Sequence, residues 1–326
     1  LEEEPQSEAE HPQNVLNKEV TISDLVFMIG PRINAAGRLE KASDSVRLLI
    51  AERKEHAEKL ASSINDLNVR RREFDNKITE EALQMIQQDE KLLQAKSTVI
   101  FNENWHKGVI GIVASRLTDT YYRPTIVLTR SNNLITGSAR SIKNFDIYDA
   151  IDNCSDLLEH FGGHKYAAGL SLKPENLSEF SRRFEEYVSN NIDKEELIPE
   201  LNVDLEINFS DITPKFVRVL KQFSPFGPGN MAPVFLSRNV IDSGSSRPVG
   251  GQEKKHLKLS MTQKHDNNLI LPGIAFQKGA DYQRVNSKEP FSICYCIEKN
   301  FWQGKTNLQL NVKDIKFEND GNILEK

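Results

Sequence analysis

The chain has 326 residues, 38% of them hydrophobic and 27% charged, a balance that suits a globular protein with room for two cores. No run approaches the roughly twenty apolar residues of a membrane-spanning helix, which excludes one, and no basic-then-apolar leader follows Leu1. The net charge of −5 argues against a uniformly basic nucleic-acid binder, yet residues 1–20 hold one Lys and six Glu, whereas residues 201–326 hold 17 basic and 13 acidic residues.

Residues 1–20 are acidic, polar and aperiodic, and are expected to be a flexible lead-in. Because the first residue is Leu rather than Met, the chain is read as part of a longer protein. Residues 21–50 open with the capping residues Thr21-Ile22-Ser23-Asp24 and an apolar run closed by Gly30-Pro31. From Ser43 to Gln88 there is no Gly or Pro. Ala57, Leu60, Ile64, Leu67, Phe74, Ile78 and Met85 recur at spacings of three and four or their sums. The spacing predicts a long amphipathic helix over 51–92, roughly 50 Å in length at 1.5 Å per residue, with a break near Ala51. Its narrow apolar stripe suits a strut between two bodies or, alternatively, a homodimeric coiled coil.

Residues 93–192 mix periods. Strands are expected at Ser97–Phe101, Thr125–Thr129, Leu134–Ala139 and Ala168–Leu172, with helices at Gly108–Leu117, Ile147–Leu158 and Pro174–Val188. Over 193–326 the pattern becomes strand-like: Leu201 to Phe209 alternates, as do Leu257–Met261, Phe291–Ile297 and Leu308–Val312, with one helix at Thr213–Phe223. The expected fold class is α/β plus all-β: a mixed-sheet α/β domain, a long connecting helix and a C-terminal barrel of the oligonucleotide-binding (OB) kind. Cys154, Cys294 and Cys296 lack the spacing of a zinc site or an easy disulfide and are read as reduced, which suits a cytoplasmic location.

Four clusters carry polar chemistry. GPRINAAGR places Arg32, Asn34 and Arg38 between glycines, as an anion-binding turn would; a helix cap followed by a second helix start reads equally well. In WHKGVIGIVASR, Trp105 could stack on a base and His106 and Lys107 could meet an anion at a helix start, or Trp105 could be core and Gly111 a packing residue. GSARS sets Ser138 and Arg140 on one face of a strand, with Ser141 following. FGGHKYAAG offers Gly162 and Gly163 for close backbone approach, with His164 and Lys165 beside them, although a lone His is more often structural. In the C-terminal part, Lys254, Lys255 and Lys258, and Trp302 with Lys305, combine cations with an aromatic. Solvated lysines and a packed Trp302 are the alternative.

In this order and spacing, GPRINAAGR, WHKGVIGIVASR, GSARS, FGGHKYAAG and SPFGPGNMAPVF (Ser224–Phe235) resemble the RecJ branch of the DHH phosphoesterase family, from about Ser23 to the end of the chain. The resemblance implies that residues 21–50 are the tail of a DHH domain, 93–192 a DHH-associated domain and 193–326 an OB-like barrel. It implies a 5′ to 3′ exonuclease acting on single-stranded DNA in repair and recombination. Mn²⁺ or Mg²⁺ would be held by residues not in this chain, which has no Asp-His-His and is expected to be inactive alone. On this reading Ser138 and Arg140 hold a terminal 5′-phosphate, Arg32 or Arg38 completes the pocket, and His164 is the catalytic candidate facing the scissile phosphate. A channel too narrow for duplex would select single strands. A single-strand-binding protein or a RecQ-type helicase are the implied partners of a monomer. The competing expectation is a non-catalytic module that binds single strands and recruits repair proteins.

Overall fold

A computed structural model of the chain describes residues 22–317 apart from 228, 252, 253, 265, 303 and 304. No described helix is long and apolar enough to cross a membrane. The chain divides into two compact units, residues 1–199 and 200–326.

The first unit opens with a short turn, α1 (Ile22–Asp24), which runs through a π-type segment into α2 (Gly30–Leu39) and then α3 (Ser43–Leu49). The long helix α4 (Lys54–Gln88) follows a four-residue break, so the expected interruption near Ala51 is present. Its buried positions Ile64, Leu67, Ile78, Ala82 and Ile86 keep one side of the helix. Ile64 and Leu67 pack with Ala36 of α2, while Ile78, Ala82 and Ile86 join a core shared with the helix that follows the first strand. These positions of the apolar seam are therefore buried within this unit, while Phe74 stays partly exposed. Asp89 ends α4 by capping the next helix, α5 (Glu90–Gln94), accepting from the amides of Lys91 and Leu92.

The sheet of this unit contains β1 (Thr98–Phe101), β2 (Thr125–Ser131), β3 (Leu134–Arg140), β4 (Leu158–His164) and β5 (Ala167–Leu172), in the order β1-β2-β3-β5-β4. β1 and β2 are parallel, joined through α6 (Ile110–Tyr121), and the other pairs are antiparallel. One face packs Ile126, Leu128, Ile135, Ala139, Ala168 and Leu170 against α7 (Ile147–Asp152) and α8 (Leu177–Asn191). The opposite face is covered by α6 over β2 and β3, where Val109, Val113, Ala114 and Leu117 share a core with Ile100 of β1 and Val127 of β2. On that face β4 and β5 remain open: His160, Gly162, His164 and Gly169 are exposed.

Two expectations need correction here. The helix predicted to run from Ile147 to Leu158 stops at Asp152, and the chain then forms β4, whose paired glycines hid a strand from propensity. The alternation from Leu201 to Phe209 also yields only the two-residue β6 (Leu205–Glu206). Leu201, Val203 and Leu205 are exposed, while a reciprocal cap between Asn208 and Asp211 bends the chain so that Ile207 and Phe209 enter the core.

The second unit is a barrel. After α9 (Pro214–Gln222) come β7 (Phe235–Asp242), β8 (Arg247–Val249), β9 (His256–Gln263), β10 (Asp266–Ala275), the short α10 (Tyr282–Val285), β11 (Phe291–Trp302) and β12 (Lys305–Phe317). The sheet order is β6-β7-β11-β12-β10-β9-β8, and an additional pairing of β7 with β9 closes it. Tyr295, Phe291, Phe209, Phe235 and the inward residues Leu257, Leu259 and Met261 fill the interior.

Candidate nucleic-acid interface

A polar hollow of about 430 Å³ opens on the first unit, between the end of α2, the start of α6 and the outer face of β3. Its lining includes Arg38, Lys107, Gly111, Thr136, Ser138 and Arg140, with three cations and no carboxylate among them. β3 explains half of the set. Alternate residues Thr136, Ser138 and Arg140 are half-exposed, whereas Ile135, Gly137 and Ala139 point into the core. The α2–α6 junction explains the rest. The Arg38 guanidinium donates to the Gly108 carbonyl at 3.1 Å, and a Cβ on Gly108 would stand 2.1 Å from the Arg38 carbonyl oxygen, so only glycine permits this approach.

Arg140 is held from two sides. Its Nη1 donates to Ser138 Oγ at 3.0 Å and to the Ala139 carbonyl at 2.7 Å, and its Nε donates to Ser115 Oγ at 3.2 Å. Among the described residues Nη2 has no hydrogen bond. It lies beside Gly111, where a Cβ would come within 3.1 Å of it and 2.9 Å of Ser138 Oγ. Ser138 accepts from Arg140, which leaves its hydroxyl proton to donate. Burial, and then the Arg38 charge, push the Arg140 guanidinium below the ordinary arginine value. An anion seated in the hollow would relieve that penalty.

Strand register brings the glycine-borne imidazole to the same face. Arg140 pairs with Ala167, which pairs with His164; Ser138 pairs with Gly169, which pairs with Gly162. Directly opposed residues of antiparallel strands share a face. Arg140 and His164 therefore stand in one row, two strand spacings or about 10 Å apart along the backbone. Small residues (Ala167, Gly169 and Gly162) pave the surface between them, and nothing lies within 4 Å above Gly162. His164 is exposed, and its Nδ1 accepts from the Tyr166 amide at 3.3 Å. Lys165 is exposed in the adjoining turn, 5.8 Å from the centre of the Tyr166 ring.

Other expected site residues sit elsewhere. Trp105 is a core residue, 4% exposed, and its indole N–H donates to Glu81 at 2.8 Å, so it is not placed to stack on a base. His106 is half-buried; its Nδ1 accepts from the Gly108 amide and its ring stacks on Phe74 at 5.5 Å. Arg32 points to the other side of α2, donating to Asn65 and to the Met28 carbonyl. Asn34 is exposed one helical turn before Arg38, outside the lining of the hollow. Ser141 donates to the Phe145 carbonyl and serves the turn after β3. Gly163 sits where a Cβ would meet the Ala167 carbonyl oxygen at 2.4 Å, so it closes the β4–β5 hairpin. Conversely, Gly111 and Ser115 are part of the site although sequence reasoning gave them no polar role, and Thr136, which opens the strand-end cluster, joins them. The alternation 136, 138, 140 was the available signal for Thr136.

On the barrel, His256, Lys258 and Ser260 face outward from β9, and Lys258 pairs with Arg247 on one side and Ile274 on the other. Phe276, 55% exposed, meets His256 edge-on at 5.2 Å, and His256 Nδ1 accepts from the Gln277 amide. Lys254 and Lys255 are exposed just before this strand. Exposed cations and an aromatic thus share the β9–β10 side. The side chains of Trp302 and Lys305 lie outside the described residues. No three His, Cys, Asp or Glu side chains converge among the described residues, so these residues do not fit the donor set of a divalent metal.

Two family models match the chain: the DHHA1 domain over residues 91–190 and the RecJ OB domain over residues 203–314. A Bacillus subtilis protein named single-stranded-DNA-specific exonuclease RecJ is 36% identical over 290 residues, covering 88% of this chain and 36% of that protein. Its Haemophilus influenzae namesake is 33% identical over 307 residues, covering 92% and 52%. The crystal structure of RecJ in complex with Mn²⁺ from Thermus thermophilus superposes with a TM-score of 0.76 at 26% identity, over 93% of this chain and 42% of that one. The chain thus spans between about a third and a half of the length of these relatives.

Proposed function

The chain belongs to the RecJ family, as its C-terminal part, and on that premise we propose that it is the substrate-gripping portion of a 5′ to 3′ exonuclease specific for single-stranded DNA. The observation that carries the reading is the cation-lined hollow around Arg140 and Ser138, placed in register with His164 on one open sheet face. A terminal 5′-phosphate has the charge and the oxygens to take the unpaired Nη2 of Arg140, the Ser138 hydroxyl and the Arg38 and Lys107 cations. An internal phosphate carries chain on both sides and cannot seat itself as deeply, so such a hollow selects ends. The next stretch of backbone then crosses the glycine-paved surface toward His164, the candidate for contact with the scissile phosphate.

The related Thermus protein was crystallised with Mn²⁺ and with Mg²⁺. In the whole protein such ions would be held by residues other than those described here and would supply the activated water and leaving-group stabilisation. The β9–β10 side of the barrel, with Lys254, Lys255, Lys258 and Phe276, fits the strand-tracking and stacking roles of an oligonucleotide-binding barrel. Repair and recombination are the processes in which such an activity would serve, in the cytoplasm.

The test is binding of 3′-labelled single strands that end in a 5′-phosphate or a 5′-hydroxyl. The chain should prefer the phosphorylated end, and Arg140→Ala combined with His164→Ala should abolish that preference. Equal binding of both ends by the unaltered chain would refute the reading. The chain alone, with Mn²⁺ added, should release no nucleotides.

A further inference from the structure

Behind the hollow lies a buried carboxylate that the strand-end reading does not use. Asp75, on α4, has a fully buried side chain. Its Oδ2 receives Arg116 Nη2 of α6 at 2.8 Å and Arg71 Nη1 at 3.4 Å. Arg71 also donates to Asn68 at 2.8 Å, and Arg116 to Asn76 at 3.3 Å. Among the described residues Asp75 Oδ1 has no hydrogen-bond partner. Burial pushes the Asp75 carboxyl above the usual aspartate range, against the opposing charges of Arg116, Arg71 and Arg38.

A buried ion pair of this kind is rarely more stabilising than apolar side chains of the same volume. Geometry is what it can provide. Beyond that pair and the Ser115–Arg140 and Arg116–Asn76 hydrogen bonds, α6 meets the sheet and α4 through aliphatic contacts of Val109, Val113 and Leu117, which set a distance without strictly fixing the roll of the helix. Arg116 is the residue after Ser115, whose hydroxyl holds Arg140 Nε. Gly111, one turn earlier, abuts Arg140 Nη2 and Ser138 Oγ. A roll of α6 would therefore shift both groups against the hollow.

We propose that Asp75 is a positioning residue for the anion hollow, acting through Arg116 to lock α6. The proposal rests on the strand-end reading. It is tested in the 326-residue chain with Asp75→Asn and, separately, Arg116→Gln. Anisotropy would be read on 3′-fluorescein single strands ending in 5′-phosphate or 5′-hydroxyl, alongside thermal unfolding of each variant. In variants that still unfold cooperatively, the preference for the phosphorylated end should fall about tenfold, the worth of one hydrogen bond to a charged group, while the 5′-hydroxyl strand binds as before. Arg116 is half-exposed, so its variant carries the test if loss of the Asp75 charge prevents folding. A folded variant that keeps or increases the preference overturns the proposal. A wild-type chain without any preference sinks the strand-end reading and this proposal together; a preference kept by wild type and variants sinks this proposal alone.

Discussion

Arg140 Nη1 donates to Ser138 Oγ at 3.0 Å, two residues back on the same strand, so the guanidinium is folded along β3 rather than extended into solvent. The serine thus sets the direction of the arginine fork while keeping a proton of its own for a ligand. Ser138→Ala removes both contributions. Binding of a 5′-phosphorylated strand should weaken about tenfold, as expected for one charge-assisted hydrogen bond, with little change for a 5′-hydroxyl strand. Titrations of the two strands side by side check this.

Gly111→Ala tests how closely α6 must approach the sheet. The added methyl would stand 2.9 Å from Ser138 Oγ and 3.1 Å from Arg140 Nη2, displacing both from the hollow. Alanine is the better helix former by about 1 kcal/mol, which offsets part of the crowding. The expected outcome is a nearly unchanged melting temperature with clearly weaker capture of the phosphorylated end. A large loss of stability with intact binding would contradict it.

Trp105→Phe separates core packing from base stacking. The indole N–H bond to Glu81 is lost, together with part of the buried ring, at a cost of roughly 1–3 kcal/mol. Denaturant unfolding should show that loss. Affinity for single strands, measured well below the melting transition, should match the unaltered chain.

Tyr295 predicts an alkaline limit to barrel stability. Its hydroxyl lies 2.9 Å from Ser237 Oγ, and burial pushes the phenol up to about 12. The folded state then holds its proton where an unfolded tyrosine, near 10, has lost it. Stability from this group is fully present below pH 10 and is lost as pH rises through 12, in total on the order of 3 kcal/mol. Tyr295→Phe should flatten that segment of the stability–pH curve while lowering stability at neutral pH by about 1 kcal/mol through the lost hydrogen bond. Urea unfolding between pH 8 and 12 measures both effects.

Much of the architecture was legible because it is written in period. Ile64, Leu67 and Ile78 mark the helix, and Leu257, Leu259 and Met261 mark a strand, since each sequence pattern repeats the geometry that buries it. β4 was illegible for the opposite reason. Its glycines have no side chain to register a period, and the strand exists because β5 pairs with it. The site divides the same way. Ser138 and Arg140 sit at alternate positions of one strand, and that spacing is visible in a string of letters. Trp105 is not, since a buried indole and a stacking one have the same neighbours in sequence; only Glu81, 24 residues earlier, decides between them. Arg32 and Arg38 likewise share a motif, but the turn of α2 between them sends Arg32 to Asn65 and Arg38 to Gly108.

The row that joins Arg140, Ala167 and His164 has a mechanical meaning. Both end groups are bolted to one hydrogen-bonded sheet, so their backbone spacing follows from the interstrand repeat and does not vary with the conformation of any loop. The sheet acts as a calliper of fixed opening. Whatever is clasped at one jaw meets the other at a set distance, and only breaking strand pairs could change that measure.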